Sequence, residues 1–360
     1  MIYFLYLLCS IAVVYAISYL FGKRQKQFFF VVTGVLLTLF LGFRDIETGG
    51  IDLLRYNKQY DMLLQADSIS MAFEMREGSN FMFFIAMYVS AQLGLTFQLF
   101  LLIAAAFTVT ASLRLYYRYS NYPLLCMCIF LATCYIHLFS QLKQTIAVAI
   151  TIFAYIKLRQ NRRSSAYALL ILAATFHPTA IVMIPFFYLS QYPANQALLL
   201  ILFLGSLLVF VLRMQIGYYL SLAFNETYVD SYVSRESITS MAVLFIVFVY
   251  IYLFMMPKRQ SITQKDFLVI SSYLYALIIA MTLFFCSSYS YAFTRLNNYF
   301  MVFVPLALSE IAEFGFWKRN FRSNVPALII YGGIMYVMVR WFLDMIVSQR
   351  LDLYKFYWMT

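Results

Sequence analysis

Long apolar runs separated by short basic clusters constrain the fold of this chain more than any other feature. A helix needs about 20 apolar residues to cross a bilayer, and ten runs approach that length. Only 11% of the residues are charged and 64% are hydrophobic, which leaves too little polar surface for a soluble core of this size. We therefore predict an all-α, polytopic membrane helix bundle. The ten predicted spans are residues 2–21, 28–43, 96–113, 123–139, 144–158, 196–214, 241–256, 266–285, 296–314 and 325–343.

Two further apolar segments, 80–93 and 166–190, break the alternation of the charge pattern if each crosses the membrane once. We predict that both are discontinuous, which gives about 10–12 transmembrane or re-entrant helices. The second segment has Pro178 near its middle, and proline breaks a helix by removing a backbone donor. Irregular backbone at membrane depth lines a cavity, so this break is a pointer to a functional site.

We expect residues 1–360 to form one integral membrane domain. The first run has no basic segment before it and no small-residue cleavage site behind it, so we expect it to remain as a span. The five cysteines lie in or beside apolar runs, which favours buried thiols over a disulfide framework or a metal site. We predict no metal and no cofactor. The cysteines are Cys9, Cys126, Cys128, Cys134 and Cys286.

The basic residues give a net charge of +11, but they form short clusters between apolar runs and no continuous stripe. That distribution is typical of membrane topology signals and argues against nucleic-acid binding. By the positive-inside rule, both termini and two loops, 44–79 and 215–240, face outward from a bacterial inner membrane. The clusters taken as cytoplasmic lie at residues 23–26, 114–118, 157–163, 258–265 and 318–322.

Five of the basic side chains on the predicted outer side, against the positive-inside bias, are candidates to bind an anion. Guanidinium groups bind phosphate oxygens bidentately, so several such cations together favour a lipid-linked diphosphate as the ligand. For any one of them, anchoring of a helix at the lipid headgroups is the alternative. The five are Arg44, Arg55, Arg76, Lys143 and Arg295.

Three side chains are candidate proton acceptors. His177 lies at the predicted helix break, and histidine titrates near neutral pH in general. Its alternative is a structural histidine bonded to neighbouring backbone, and we interpret His137 in that way. Asp52 and Glu77 lie in the predicted outer loop, where carboxylates are more usually solvated or paired with arginine.

Several short motifs occur in the order found in one family. Arg44, followed by Gly49-Gly50-Ile51-Asp52 and then Tyr56, resembles the "R…G-x-D…Y" signature of the EpsG-type, Wzy-like oligosaccharide repeat-unit polymerases. Residues 140–147 (SQLKQTIA) are similar to the "R-Q-x-I-A" block, 173–180 (AATFHPTA) to "A-x-x-F-H-x-S-A", and 295–300 (RLNNYF) to "R-x-x-x-Y". Lys143 and Thr179 depart from the usual Arg and Ser.

The resemblance implies a membrane glycosyltransferase of GT-C-like architecture that acts at the outer face of the inner membrane. It would transfer a growing undecaprenyl-diphosphate-linked glycan onto a lipid-linked repeat unit, in contact with membrane lipids and alongside a chain-length regulator and a flippase. Through the matching blocks, Gln144 and Tyr299 join the five cations as substrate-binding candidates.

Two other classes remain open at this stage. A transporter or flippase of lipid-linked oligosaccharides would also need an outward cavity with cations, but it would be expected to carry an internal repeat, which we do not see. A structural membrane protein would need no group of arginines at the outer boundary. Mutation of those arginines separates it from an enzyme.

Overall fold

A computed structural model describes residues 2–50, 52–66, 68–74, 80–223, 263–287, 291–316, 332 and 355–359. Within these ranges the regular elements are helices, and one isolated β-bridge joins Arg44 to Phe356. The prediction of an all-α membrane helix bundle is confirmed. The α-helices are α1 Ile2–Ser18, α2 Gln25–Gly42, α3 Leu53–Leu64, α4 Ile69–Glu74, α5 Phe81–Gln92, α6 Phe97–Tyr119, α7 Pro123–Thr133, α8 Leu142–Arg159, α9 Arg163–Phe176, α10 Met183–Leu189, α11 Gln196–Val211, α12 Arg213–Ala223, α13 Gln264–Cys286, α14 Tyr291–Met301 and α15 Val304–Phe316.

Three helical stretches among the described residues are long and apolar enough to cross a membrane: Tyr3–Gly42, Phe97–Tyr119 and Asp266–Phe284. A fourth is possible if the pair Ala197–Val211 and Arg213–Leu220, bent by 76°, counts as one span. Four shorter apolar helices accompany them, namely Phe81–Gln92, Pro123–Thr133, Arg163–Phe176 and Pro178–Leu189. The predicted span 241–256 lies outside the described residues, and so does 325–343 apart from residue 332.

The first stretch is a helical hairpin. Gly22 has a positive φ of 49°, a backbone conformation that glycine adopts without steric cost, and it interrupts the helix between α1 and α2. The rings of Phe4 and Phe40, near the open ends of the two helices, contact each other with their centroids 5.4 Å apart. This hairpin matches the predicted spans 2–21 and 28–43.

The chain divides into two compact units. The first contains the described parts of Met1–Tyr119, Cys134–Ile181 and Arg340–Thr360. In it α2 packs on α6, α6 on α8, and α8 on α9, while α5 contacts both α3 and α9. The prediction of a single membrane domain stays a prediction.

The second unit contains the described parts of Ser120–Thr133 and Val182–Val339. Its centre is α13, which packs against α11, α14 and α15, while α7 packs against α15. A buried serine on α13 fixes the chain before α11, because Ser271 Oγ accepts a hydrogen bond of 3.0 Å from the Ala194 N–H.

Both segments predicted to be discontinuous are built from short helices. Residues 80–93 form the 12-residue helix α5, which is too short to span a hydrocarbon core of about 30 Å at 1.5 Å per residue. In 166–190 the helix α9 ends at Phe176, His177 is extended at φ −153° and ψ 117°, and a 3₁₀ helix, Pro178–Val182, leads into α10. The predicted break is confirmed at the residue before the proline, which is where a proline disfavours helix.

The predicted outer loop 44–79 is more ordered than its polar composition indicates. It contains α3 and α4, and residues 75–79 lie outside the described part. Tyr60 fastens α3 to the chain before α6, because its hydroxyl donates a hydrogen bond of 2.9 Å to the Leu95 carbonyl, and burial raises the pKa of this phenol. Of the second predicted loop, 215–240, the structure describes only the part within α12.

Candidate functional site

A tight turn directly after α2, residues 44–50, carries the first candidate cation; we call it the Arg44 loop. The Asp45 carboxylate holds the turn, since its Oδ2 accepts hydrogen bonds from the Glu47 N–H at 3.1 Å and from the N–H and hydroxyl of Thr48, both at 2.8 Å. The Gly49 N–H then donates to the Asp45 carbonyl at 2.8 Å. These bonds fix the backbone on the C-terminal side of Arg44.

Two glycines let this loop approach the chain before α8. Gly50 has φ 148°, and a Cβ added there would lie 2.5 Å from the Phe139 carbonyl oxygen and 3.1 Å from Ser140 Oγ. A Cβ on Gly49 would lie 2.3 Å from the Asp45 carbonyl oxygen. The distances to the two carbonyl oxygens are far shorter than van der Waals contact, so this conformation requires glycine at each position. The motif glycines therefore bring the Arg44 loop against Phe139 and against Ser140, the first residue of another motif block.

Arg44 itself is buried, with 1% of its surface exposed. Its guanidinium lies over the Phe139 ring, 5.6 Å from the centroid, and Nη1 donates to the Leu41 carbonyl. Gln98 on α6 donates from Nε2 to the carbonyls of Gly42 and Arg44. Arg44 is therefore enclosed by protein, and its role in substrate binding stays a prediction.

Lys143, in the first turn of α8, contacts two aromatic rings. Its Nζ lies 5.2 Å from the Tyr56 centroid and 5.7 Å from the Phe83 centroid, and the two rings contact each other at 5.4 Å. Attraction of a cation to ring faces stabilises such contacts by about 0.5–2 kcal/mol. Tyr56 belongs to the same motif as Arg44, so the structure brings the second cation against the first motif block.

The helices α8 and α9 form an antiparallel hairpin around the turn at residues 160–162, where Asn161 has a positive φ of 61°. His177 follows α9 directly and Lys143 and Gln144 begin α8, so all three lie at the open end of this hairpin. Because both helices rise about 1.5 Å per residue, His177 lies nearly level with Thr145.

His177 is buried and its ring is oriented by a neighbour. Nδ1 lies 2.6 Å from Thr179 Oγ1, and both side chains are at most 9% exposed. When Nδ1–H donates to this hydroxyl, Nε2 keeps its lone pair and can accept a proton. Thr179, which stands where the resembled block has Ser, thus retains the hydroxyl that this arrangement needs.

The other candidates of the first unit differ in exposure. Gln144 is buried at 2% exposure, Asp52 is half-buried at the N-cap of α3, and Arg55 is exposed on α3. Arg76 and Glu77 lie outside the described residues.

The second unit holds the remaining two candidates on one helix, α14. Arg295 is half-buried and Tyr299 is fully buried, one turn further along the helix. Asn297 and Asn298 between them are also buried, at 2% and 7% exposure. The RLNNYF block therefore places buried polar side chains within a helix that packs on α12, α13 and α15.

The sequence analysis missed several residues that shape this site. Phe139 and Phe83 contact the two cations, Gln98 holds the backbone of the Arg44 loop, and the segment Lys355–Met359 pairs with that loop. Of these residues, only Gln98 could have been noticed in the sequence, because it is a polar residue within the predicted apolar span 96–113. Within the described ranges no three His, Cys, Asp or Glu side chains lie close enough together to hold a metal ion.

The family model described as the EpsG family matches residues 27–356 of the chain. The chain belongs to the EpsG family. No significant match was found among the curated proteins or the solved structures. Membership in the EpsG family supports a polysaccharide-polymerase-like role and a membrane location in general. In this EpsG-family protein, three motif blocks from distant parts of the chain thus lie in the first unit, two of them in direct contact.

Proposed function

We propose that this protein is a glycosyltransferase that elongates an undecaprenyl-diphosphate-linked glycan. The growing chain leaves its lipid diphosphate and joins a hydroxyl of the terminal sugar of one lipid-linked repeat unit. The C–O bond to the diphosphate breaks, a new glycosidic C–O bond forms, and the proton of the acceptor hydroxyl passes to a base. The observation that supports the proposal is that Arg44, Lys143 and His177 all belong to the first unit of an EpsG-family chain, where Lys143 contacts Tyr56 of the motif block that contains Arg44.

The chemistry of the reaction explains why these residue types are needed. Departure of a diphosphate from an anomeric carbon builds negative charge on the leaving oxygens, and preorganised cations stabilise that charge. Arg44 and Lys143 would supply the positive charge. Arg44 is buried and Lys143 is half-buried, and electrostatic interactions in such places are stronger than in water. The acceptor hydroxyl needs a proton acceptor, and His177 with Asp52 and Glu77 are the candidates. Arg55, Arg76, Arg295, Gln144 and Tyr299 remain proposed contacts of the substrate.

The direct test is incubation of the purified protein with a lipid-diphosphate-linked repeat unit, followed by separation of the products by length on a gel. We expect a ladder of products that differ by one repeat unit. Recovery of only the starting material, from folded protein, would contradict the proposed reaction.

The first quantitative prediction concerns Lys143. Lys143→Met keeps the length of the side chain and removes the charge, so it should raise the KM for the lipid-linked repeat unit by about tenfold or more. Lys143→Arg keeps the cation and should be tolerated. Initial rates over a range of substrate concentrations give both values.

Lys26 provides the matched control, because its Nζ also lies over an aromatic ring, 5.5 Å from the Tyr117 centroid, and it too is half-buried. Its cluster belongs to a predicted cytoplasmic turn. Lys26→Met should leave the KM unchanged. An equal rise in KM for both lysines would mean that the loss reflects general damage to the fold.

The second prediction concerns membrane orientation, which we propose to be outward for the site. In a variant without native cysteines, a cysteine at Asp61 should react with a membrane-impermeant thiol reagent added outside intact cells. A cysteine at Arg162, in the turn between α8 and α9, should react only after the membrane is opened. Both side chains are exposed in the structure, so accessibility within the protein does not limit labelling. Labelling of position 162 from outside would reverse the proposed orientation.

A further inference from the structure

The segment Lys355–Met359 pairs with the Arg44 loop; we call this segment the strap. The Tyr357 N–H donates a hydrogen bond of 2.8 Å to the Phe43 carbonyl, and the Asp45 N–H donates one of 3.1 Å to the Lys355 carbonyl. Arg44 and Phe356 thereby form an antiparallel bridge. The backbone on both sides of Arg44 is tied to a part of the chain that is far away in the sequence.

Aromatic contacts seat the strap on the α1–α2 hairpin. The Phe356 ring contacts Phe40 at 5.5 Å and Tyr3 at 5.7 Å between centroids. Trp358 stacks on Phe356 at 4.8 Å with nearly parallel planes, and it also contacts Phe43 at 5.7 Å. The strap therefore has side-chain anchors of its own, independent of the two backbone hydrogen bonds.

We propose that the strap is a positioning element that fixes Arg44 for the lipid-linked diphosphate; this inference rests on the proposed function of the site. Hydrogen bonds at residues 43 and 45 fix the position and direction of the Arg44 Cα–Cβ bond. Gln98 and the Asp45 turn restrain the same backbone from the other side. A guanidinium held in this way needs less ordering when the diphosphate binds, and preorganisation of that kind raises affinity.

A proline at position 357 removes one strap hydrogen bond with little other disturbance. Tyr357 is the first residue of a 3₁₀ helix, a position whose φ suits proline, and proline has no N–H to donate. Tyr357→Ala is the matched control, because it removes the same side chain, which is 52% exposed, and keeps the donor. The difference between the two variants isolates the hydrogen bond to Phe43.

Hydrogen exchange of the purified full-length protein tests the contact without reference to activity. In Tyr357→Pro, the amides of a peptide covering residues 41–50 should exchange about tenfold faster than in Tyr357→Ala. Exchange rates that are equal in the two variants would overturn the proposal. This measurement stands even if the wild-type protein fails to elongate a lipid-linked repeat unit, a result that would count against the proposed function alone.

Kinetics with the lipid-linked repeat unit test whether the contact between the strap and the Arg44 loop improves substrate binding. Tyr357→Pro should raise the KM about tenfold relative to Tyr357→Ala and leave kcat within about twofold. In an Arg44→Ala background the same proline should raise the KM less than twofold, because the group that it positions is gone. An equal effect in both backgrounds would show that the strap acts on stability in general and not through Arg44.

Discussion

Replacement of His177 by glutamine should slow elongation of the lipid-linked glycan by about 10²–10⁴-fold, the usual effect of removing a general base. The variant should still bind the lipid-linked repeat unit, because the cations proposed to hold the diphosphate are untouched. Glutamine keeps a polar group next to Thr179 Oγ1, which lies 2.6 Å from the imidazole Nδ1 in the wild-type protein. Pre-steady-state rates with bound substrate and the thermal unfolding midpoint are the measurements.

Thr179 variants make the test specific for the orientation of the imidazole. Thr179→Ser keeps the hydroxyl and should retain most of the rate. Thr179→Val removes the hydroxyl and should lower the rate, since the Nδ1–H tautomer loses its acceptor. The variants Asp52→Asn and Glu77→Gln should be measured in the same assay, because Asp52 and Glu77 are the competing candidate bases. Wild-type elongation by His177→Gln, combined with an inactive Asp52 or Glu77 variant, would assign the base to the 44–79 segment and make His177 a structural residue at the helix break.

Replacement of Arg44 by alanine should raise the KM for the lipid-linked donor by about tenfold to a hundredfold. Loss of a charge-assisted hydrogen bond costs roughly 1.5–3 kcal/mol, and each 1.4 kcal/mol is a factor of ten. Arg44→Lys should recover part of the affinity, because an ammonium keeps the charge but lacks the planar fork. Initial rates at varied donor concentration measure the effect.

Arg213 is a close structural control for Arg44. Its Nη1 also donates to the carbonyl three residues earlier, that of Phe210, and its guanidinium lies 4.4 Å from the Phe210 centroid. Arg213→Ala therefore removes the same kinds of contact in the second unit, at a residue that none of the matching motif blocks contains. We expect it to leave the KM unchanged. A matching rise in both variants would mean that Arg44 contributes to folding and not to donor binding.

Hydropathy alone located most of the described helices to within a few residues at one end or both. The runs 144–158 and 266–285 correspond to Leu142–Arg159 and Gln264–Cys286, and the run 96–113 opens the longer helix Phe97–Tyr119. Transfer from water to lipid requires both apolar side chains and a backbone bonded within its own segment, so an apolar run predicts a helix directly.

Breaks within the runs were harder to predict. The run 296–314 is divided between α14 and α15, and the available signal was Pro305 in the first turn of α15. The 76° bend between α11 and α12, at Leu212, has neither proline nor glycine at the break. Hydropathy indicates whether a segment prefers lipid or water. A bend of this kind depends instead on packing against other helices, which a single sequence does not reveal.

Only some residues of the candidate site could be identified from the sequence. Charged residues make up only 11% of the chain, so a misplaced Arg44 or Lys143 is conspicuous. Their aromatic neighbours are not, because Phe139 and Phe83 are two among 37 phenylalanines. Hydrophobic pattern alone does not distinguish a ring that faces a cation from one that fills the core.

The pairing of the strap with the Arg44 loop joins an early part of the chain to a part that is synthesised much later. Chains are made from the N-terminus, so the α1–α2 hairpin and Arg44 enter the membrane long before residue 356 leaves the ribosome. The loop has no backbone partners at Lys355 and Tyr357 until those residues have been synthesised. Throughout that interval the arginine lacks its final alignment. A nascent chain therefore lacks the hydrogen bonds on both sides of Arg44 until residues 355–357 have docked.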